Sequence, residues 1–585
     1  MSSSIPQLFL EFVSREPEAS FVYVPEKKES RWAWEAMSRA ASLRSVAFFA
    51  RKLDSLGVSK GERVAIWANT RAEWCLIDIA VLSLGGIVVG IYPTLMKDMV
   101  LEQLKDSGAS VLIVENESQV LEWEEELEQL ENLIHMISIE AGEKLLPFEK
   151  RLGSEEDIEW LKEKIREREA SDVASIIYTS GTTGKSKGVL LTHHNFISNL
   201  HTTKEVLPLG KKARSIVCLP LAHSLQRFVV YRGFTEDVEG YFAPSLQEIP
   251  ETIQAAKPTI LIAVPRMLEK IQNKILQQAR ERSFIAAFLV RRAIEVGWEI
   301  EYQKVNRAPT SLRLRWQWKL LRKMVVSKIR SRLGGELRQI VSGGAPLHDE
   351  TAKFFWALGY QVVEGWGLSE TCAPATLNME GARKLGSVGK VLSNMELKIE
   401  PESGEILIQG EGVFSGYYKH DSSAYFENGY FKTGDIGELD RDGYLYITGR
   451  LKDIIVTAGG KNIAPQRIAQ FVEGGLIHHC IVVGDQQKYL VALIALDEEV
   501  LRSLAEEKGW FGAFPDWVKQ AEVDKWVEER IKQANKQLSS YEQLKNYALL
   551  PKPLTEESGL LTSTQKVKKK VVIEHYQALW SALYS

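Results

Sequence analysis

Eleven consecutive residues, Tyr178-Thr179-Ser180-Gly181-Thr182-Thr183-Gly184-Lys185-Ser186-Lys187-Gly188, concentrate the chemistry of this 585-residue chain. They lie between two apolar runs, 173–177 and 189–192, that both read as strands. A Ser/Thr/Gly loop leaving a strand can turn backbone N–H groups and hydroxyls inward, a donor surface suited to phosphate oxygens. Lys185 and Lys187 add positive charge. The P-loop is the first pattern to test. It needs glycine where this chain has Thr179, and it should open a helix rather than the β-favouring Val189-Leu190-Leu191. The segment therefore reads as a nucleotide-phosphate loop of another kind, with an ordinary flexible turn as the bland alternative.

Further along, more segments could do chemistry. Ser342-Gly343-Gly344-Ala345-Pro346 follows the apolar Ile340-Val341, and small residues there let a ligand approach the backbone closely. Alone, it would read as a plain strand–turn–helix connection. In Glu364-Gly365-Trp366-Gly367-Leu368-Ser369-Glu370-Thr371, Trp366 can stack on a purine and Glu370 can hold Mg²⁺ on triphosphate oxygens. In Tyr430-Phe431-Lys432-Thr433-Gly434-Asp435 a carboxylate follows an aromatic strand; it can accept bonds from two ribose hydroxyls, or simply form a turn. His223, in Leu219-Pro220-Leu221-Ala222-His223, would read as structural if it stood alone. Lys566 lies in Leu561-Thr562-Ser563-Thr564-Gln565-Lys566-Val567-Lys568-Lys569, where a surface lysine cluster is the bland reading.

The elements that must hold these residues follow the α/β pattern. Runs at 63–67, 110–114 and 259–263 read as buried strands beside helix-patterned sequence. The apolar stretch from Ile79 to Tyr92 is too short to span a bilayer, and Gly85, Gly86 and Gly90 interrupt it, so it reads as helix–turn–strand. Leu121, Trp123, Leu127 and Leu130 predict an amphipathic helix with an acidic outer face. A domain boundary is expected at 449–453, giving a large domain over 1–450 and a small one over 451–585. In the latter, runs at 480–483 and 490–495 predict a β-hairpin, followed by helices to about residue 545.

Composition is that of a soluble globular protein, 45% hydrophobic and 26% charged, and the length calls for more than one core. A formal charge of −4 gives no reason to expect a nucleic-acid partner. Cys75, Cys218, Cys372 and Cys480 have no ligand spacing and suggest a reducing compartment. With no secretory signal visible, the protein is expected to be cytoplasmic, at most resting on a membrane. Residues 280–332 carry fourteen Arg or Lys against four Glu, with Trp298, Trp316 and Trp318 interleaved. Such a basic helical segment can lie on an anionic membrane surface, or be a solvated face packed on its own domain.

Taken in order from about residue 60 to Lys570, the motifs resemble those of the adenylate-forming enzymes, the superfamily of acyl-CoA synthetases, peptide-synthetase adenylation domains and firefly luciferase. The resemblance implies a large multi-subdomain N-terminal domain and a small mobile α+β C-terminal domain. It implies that Thr179, Ser180, Gly181, Thr182, Thr183, Gly184, Lys185 and Lys187 hold ATP phosphates. Gly343, Gly344, Ala345, Trp366, Gly367 and Ser369 would border adenine and acyl chain, while Asp435 and Arg450 would approach the ribose and nucleotide. Glu370 would ligate Mg²⁺, His223 would lie near the acyl and phosphate sites, and Lys566 would be the catalytic lysine. Gly459 and Gly460 would let the pantetheine arm of coenzyme A pass after the small domain rotates about Lys452-Asp453. Departures are Trp366 for the usual tyrosine, Ser369 for threonine, and Gln226 for a glutamate whose role is not carried over.

The implied reaction joins a carboxylic acid to ATP as an acyl adenylate, releases pyrophosphate, and transfers the acyl group to CoA. Residues 264–271, the basic insertion and Leu333-Gly334-Gly335 look most like long-chain fatty acyl-CoA synthetases. An acyl-AMP ligase or acyl-carrier-protein synthetase would share the ATP motifs, and both monomer and homodimer stay open.

Overall fold

The computed structural model describes residues 2–29, 31–148, 151–180, 186–210, 212–379, 383–555, 557–562 and 566–584. Gly181, Thr182, Thr183, Gly184 and Lys185, the middle of the expected phosphate loop, lie outside them. The architecture is α/β, and the chain forms two compact units. One comprises Met1–Leu397, Ile408–Lys432 and Arg441–Leu445; the other comprises Lys398–Leu407, Thr433–Asp440 and Tyr446–Ser585.

Two sheets organise the first unit. The seven-stranded one runs Leu146–Pro147, His135–Ser138, Val111–Val114, Arg63–Trp67, Ile87–Ile91, Val173–Ser180, Ser186–Thr192. All of its pairings are parallel except the last, which is antiparallel. Runs such as Val111–Val114 are buried throughout, as expected for strands covered on both faces. The stretch from 79 to 92 is the expected helix, turn and strand, Ala72–Ser83 and Ile87–Ile91. The nine-stranded sheet has a parallel centre running Gln361–Trp366, Gln339–Ser342, Ile260–Ala263, Arg214–Val217, Glu239–Phe242, Ser20–Lys28. The glycine turn at 343–344 and the motif at 366–370 thus leave the carboxyl ends of neighbouring parallel strands, the edge where ligands of open α/β sheets bind.

Two expectations need correction. Residues 121–130 do not form one amphipathic helix; they form a 3₁₀ turn, Leu121–Trp123, and a short helix, Glu124–Glu128. Trp123 stacks on Trp67 with ring centroids 4.8 Å apart, and this anchor with buried Leu127 fixes the segment better than a run of mutually repelling glutamates could. The basic segment is a helical hairpin, Phe284–Val305 against Leu312–Leu321 and its continuation, rather than one surface helix. Trp298 and Trp318 pack on the core, Trp298 stacking on Trp356; of the three tryptophans only Trp316 is exposed. Among the described residues no helix is long and apolar enough to cross a membrane.

A charged cluster lies inside the first unit. Arg227 Nε donates to Asp78 Oδ2 at 3.2 Å, Nη2 donates to Asp78 Oδ1, and Nη1 donates to Ser175 Oγ at 2.6 Å. Tyr231 OH also donates to Asp78, and all four residues are buried. Burial opposes the guanidinium charge, but Asp78 and Tyr231 more than offset it, so the pKa of Arg227 is raised. The cluster ties helix Ser224–Glu236 to helix Ala72–Ser83 and to the strand that enters the phosphate loop.

The second unit holds a three-stranded sheet. The hairpin Ile477–Val483/Leu490–Leu496 is antiparallel, as expected, and Leu544–Leu549 adds in parallel. Helix Ala521–Asn535 ends the expected helical stretch.

Removing one side of the buried pair leaves an uncompensated charge, so Arg227→Met should destabilise the first unit by about 3–5 kcal/mol. Asp78→Leu/Arg227→Met together should recover most of that loss. Denaturant midpoints of the single and double variants check this; equal losses in both would contradict it.

Candidate active site

The hairpin expected to hold phosphate is built by strands Val173–Ser180 and Ser186–Thr192, with Thr179 opposite Lys187 and Ser180 opposite Ser186. Residues 416–418 run alongside the second strand: Tyr418 N donates to Gly188 O at 2.7 Å and Leu190 N to Gly416 O at 3.1 Å. This placement brings Tyr417 to Lys187. Lys187 Nζ lies 5.4 Å from the Tyr417 ring centroid and 4.5 Å from that of Tyr425, and it donates to Tyr425 OH. Tyr417 OH donates to Glu370 Oε1 at 2.8 Å, and burial together with the Glu370 carboxylate raises the phenol's pKa. The expected phosphate cation and the expected metal carboxylate are therefore joined through one tyrosine. The sequence singled out Lys187 and Glu370 as candidates, whereas it did not single out Tyr417 and Tyr425, which the structure places between and beside them.

Glu370 lies on the 3₁₀ turn Ser369–Thr371, half-buried, directly after strand Gln361–Trp366. Among the described residues no cluster of three or more His, Cys, Asp or Glu could hold a metal ion. A single carboxylate still fits Mg²⁺, which is commonly held by one or two carboxylates plus substrate phosphates. Trp366 is largely buried, so any stacking would use only a limited part of its ring. A Cβ at Gly367 would lie 2.0 Å from Ala373 O, so only glycine fits there. At Gly343 the nearest atoms to an added Cβ are 3.7 Å away, and Gly344 at φ +84° has nothing within 4 Å. Gly343 is buried at the strand end, and exposed Gly344 and Ala345 leave open backbone beside the sheet edge.

His223 caps helix Ser224–Glu236, its Nδ1 accepting from Leu225 N at 3.1 Å, which leaves the proton on Nε2. The Tyr92 ring stands nearly perpendicular to the imidazole, with ring centroids 6.3 Å apart. A Cβ at Gly90 would lie 2.8 Å from Ala222 Cα, so this close approach fixes the His223 segment against strand Ile87–Ile91. Gln226, where the resemblance called for glutamate, is fully buried and accepts from Leu219 N at 3.1 Å.

In the second unit Asp435 and Arg450 form an ion pair, Nε to Oδ1 2.9 Å, with Asp435 buried. Lys566 belongs to the same electrostatic group. Although the residue is solvent-exposed, the protein around its ammonium lowers the pKa to about 8, first by desolvation, then by Arg450 and Lys452, with Asp435 opposing. Gly459 and Gly460 form an open turn between Ile455–Val456 and Asn462–Ile463; Gly460 has φ +72° and no neighbour within 4 Å. Lys569 is more than a surface lysine: it pairs with Asp453 at 3.3 Å, and Gln466 donates to the same oxygen at 3.0 Å.

Residues 12–418 match the family model of the AMP-binding enzymes, and residues 452–585 match the AMP-binding enzyme C-terminal domain. The chain belongs to the AMP-binding enzymes. It is 35% identical to the long-chain-fatty-acid–CoA ligase FadD15 of Mycobacterium bovis, over 94% of this chain and 93% of that one. The FadD15 ligase of Mycobacterium tuberculosis is 34% identical over the same shares. This AMP-binding enzyme also shares its fold with o-succinylbenzoate CoA synthetase of Bacillus subtilis in complex with an acyl adenylate, at 21% identity and a TM-score of 0.67, covering 96% of this chain and 97% of that one. A fatty acyl CoA synthetase of Mycobacterium tuberculosis aligns over 99% of each chain with a TM-score of 0.61 and 20% identity.

If Lys566 works as an ammonium, adenylation should fall as pH rises through about 8, because a lowered pKa removes the charge above that value. Pyrophosphate release measured from pH 6 to 10 should show that falling limb in the wild type. Lys566→Arg, which stays charged, should lose the limb. A limb unchanged in the arginine variant would assign it to another group.

Proposed function

We propose that this AMP-binding enzyme activates a long-chain fatty acid as its acyl adenylate and transfers the acyl group to CoA. The observation that carries the acid and the acceptor is the near full-length similarity to two curated long-chain-fatty-acid–CoA ligases. In the first half-reaction a carboxylate oxygen attacks the α-phosphorus of ATP, and the bond from that phosphorus to the pyrophosphate oxygen breaks. In the second, the CoA sulfur attacks the acyl carbon and AMP leaves with its phosphate oxygen. Neither half needs much acid–base chemistry, so the protein's task is positioning and charge neutralisation.

Thr179, Ser180, Lys187 and the loop between them would hold the β- and γ-phosphates. Glu370 would hold Mg²⁺, which supplies further neutralisation of the triphosphate. Trp366, Gly343, Gly344 and Ala345 would receive adenine and the start of the acyl chain, and Asp435 the ribose. Lys566 would offset the charge of carboxylate and α-phosphate during their approach. For the second half, residues 451–585 would turn as a domain about Lys452-Asp453, moving Lys566 away and presenting Gly459 and Gly460 to the pantetheine arm. The contacts of Asp453 with Lys569 and Gln466 would be exchanged in that turn.

A panel of carboxylic acids from two to twenty carbons, with ATP, Mg²⁺ and CoA, tests this reading. Pyrophosphate and an acyl-CoA mass should both appear, with the highest kcat/KM among the long-chain acids. Adenylate without CoA thioester would favour an acyl-AMP or carrier-protein ligase, and orthophosphate release would refute the chemistry.

The exposed side of helix Leu312–Leu321 and its continuation supports peripheral membrane attachment. Leu312, Trp316, Leu320 and Met324, four residues apart, form an exposed apolar stripe, 82% to 43% accessible. Arg313, Arg315, Lys319 and Lys323 flank it, in a segment of net charge +10. Two copies meeting through this face would bring like charges together, whereas an anionic bilayer complements it, each well-placed cation adding about 1 kcal/mol. Sedimentation with anionic vesicles at low salt should pull down the wild type, and Trp316→Ser or Arg313→Gln/Arg315→Gln/Lys323→Gln should weaken this. High salt should too, since screening acts over about 10 Å at 0.1 M. No binding to anionic vesicles at low salt would refute attachment.

A further inference from the structure

Directly after Glu370 and Thr371 the backbone does something unusual. Cys372 and Ala373 are consecutive residues in the left-handed region, at φ +52° and +75°. Residues with a Cβ avoid that region, and neither of these has a polar side chain to compensate locally. Such strain persists only where the surroundings over-determine it. Here the surroundings are specific. Ala373 O sits where a Cβ on Gly367 would be, and Ala375 N donates to Trp366 O at 2.8 Å, so the turn is pressed against the adenine motif. Thr371 Oγ1 accepts from Leu368 N at 2.8 Å and donates within the same turn. Glu370 O accepts from Phe414 N at 2.8 Å.

The strongest restraint comes from far away in the sequence. Asn199, fully buried on helix His193–Val206, donates through its one amide nitrogen to both Thr371 O and Cys372 O, each at 2.9 Å. Its Oδ1 accepts from Asn394 Nδ2 at 2.6 Å. The helix begins immediately after strand Ser186–Thr192, the outgoing arm of the phosphate hairpin. One amide therefore fixes the turn that carries Glu370 relative to the element that carries Lys187.

We infer that Asn199 is a positioning residue for Glu370: by clamping the left-handed turn at 372–373 it sets the carboxylate where Mg²⁺ and the triphosphate are to meet. The inference rests on the reading of Glu370 as the metal carboxylate. A partner standing behind a metal ligand typically changes metal affinity by about 10–100-fold when removed. If instead Asn199 merely satisfies two buried carbonyls, its loss weakens folding without singling out the metal.

The two accounts separate in binding measurements that need no turnover. Mg²⁺ affinity is titrated by calorimetry on the full chain saturated with α,β-methylene-ATP, whose α–β bridge cannot be cleaved, and nucleotide affinity is measured without metal. Asn199→Leu should weaken Mg²⁺ binding by on the order of tenfold and change metal-free nucleotide binding far less. Amide exchange over residues 367–375 should quicken. Ala373→Gly removes the cost of the left-handed conformation at one of the two positions, so Asn199→Leu/Ala373→Gly should regain part of the Mg²⁺ affinity. If Asn199→Leu does not fold, Asn199→Ser, which keeps a single donor, serves in its place with the same expectations. Equal losses of Mg²⁺ and metal-free nucleotide affinity, or an unchanged Mg²⁺ affinity, would overturn the inference. Glu370→Gln is the control. If it too leaves Mg²⁺ affinity unchanged, the metal reading of Glu370 has failed; if it alone weakens the metal, only the role of Asn199 has failed.

Discussion

Bringing a carboxylate up to a triphosphate is opposed by charge, and the placement of cations against that repulsion is the constraint on which the rest of this structure depends. A cation used this way has to stay charged and stay put. Lys187, the proposed phosphate cation, is held on the hairpin over the Tyr417 and Tyr425 rings. Tyr417 spends its proton on Glu370, so the lysine and the carboxylate share one support. In the proposed reaction Lys566 would meet the requirement differently. Desolvation first, then the like charges of Arg450 and Lys452, lower its pKa to about 8 against the opposing Asp435.

Precision elsewhere comes from buried polar ties and from glycines that cannot be replaced. The Asp78–Arg227 pair and Ser175 lock the helix that His223 caps onto the strand feeding the phosphate loop. Gly90 against Ala222 and Gly367 against Ala373 permit backbone approaches that a Cβ would forbid. Apart from the local Gly367–Ala373 approach, these contacts join elements far apart in sequence, so the arrangement depends on the sheet edges and not on any single motif.

Much of this was legible in the residues. The apolar runs at 63–67, 110–114 and 259–263 marked buried strands because parallel strands are covered on both faces; the strands themselves are Arg63–Trp67, Val111–Val114 and Ile260–Ala263. The two strands read on either side of the Ser/Thr/Gly/Lys loop do form an antiparallel pair. What stayed hidden depends on long-range packing. Tyr417 lies 230 residues from Lys187 and Asn199 173 from Cys372, and neither carries a local signature of its role. Local patterning misled at 121–130, where the Trp123–Trp67 stack outweighs helix periodicity, and in the basic segment, where two of the three tryptophans serve the core. Conversely, the apolar stripe from Leu312 to Met324 emerged only once the helix showed which side faces water.

The central claim is that an oxygen of the substrate carboxylate becomes bonded to the α-phosphorus of ATP. The most direct measurement follows that oxygen. With both carboxylate oxygens of a long-chain acid labelled as ¹⁸O, turnover with ATP and CoA should place one label in AMP and leave one in the thioester, with none in pyrophosphate. Unlabelled AMP, or label appearing in a phosphate released from the terminal end of ATP, would contradict it.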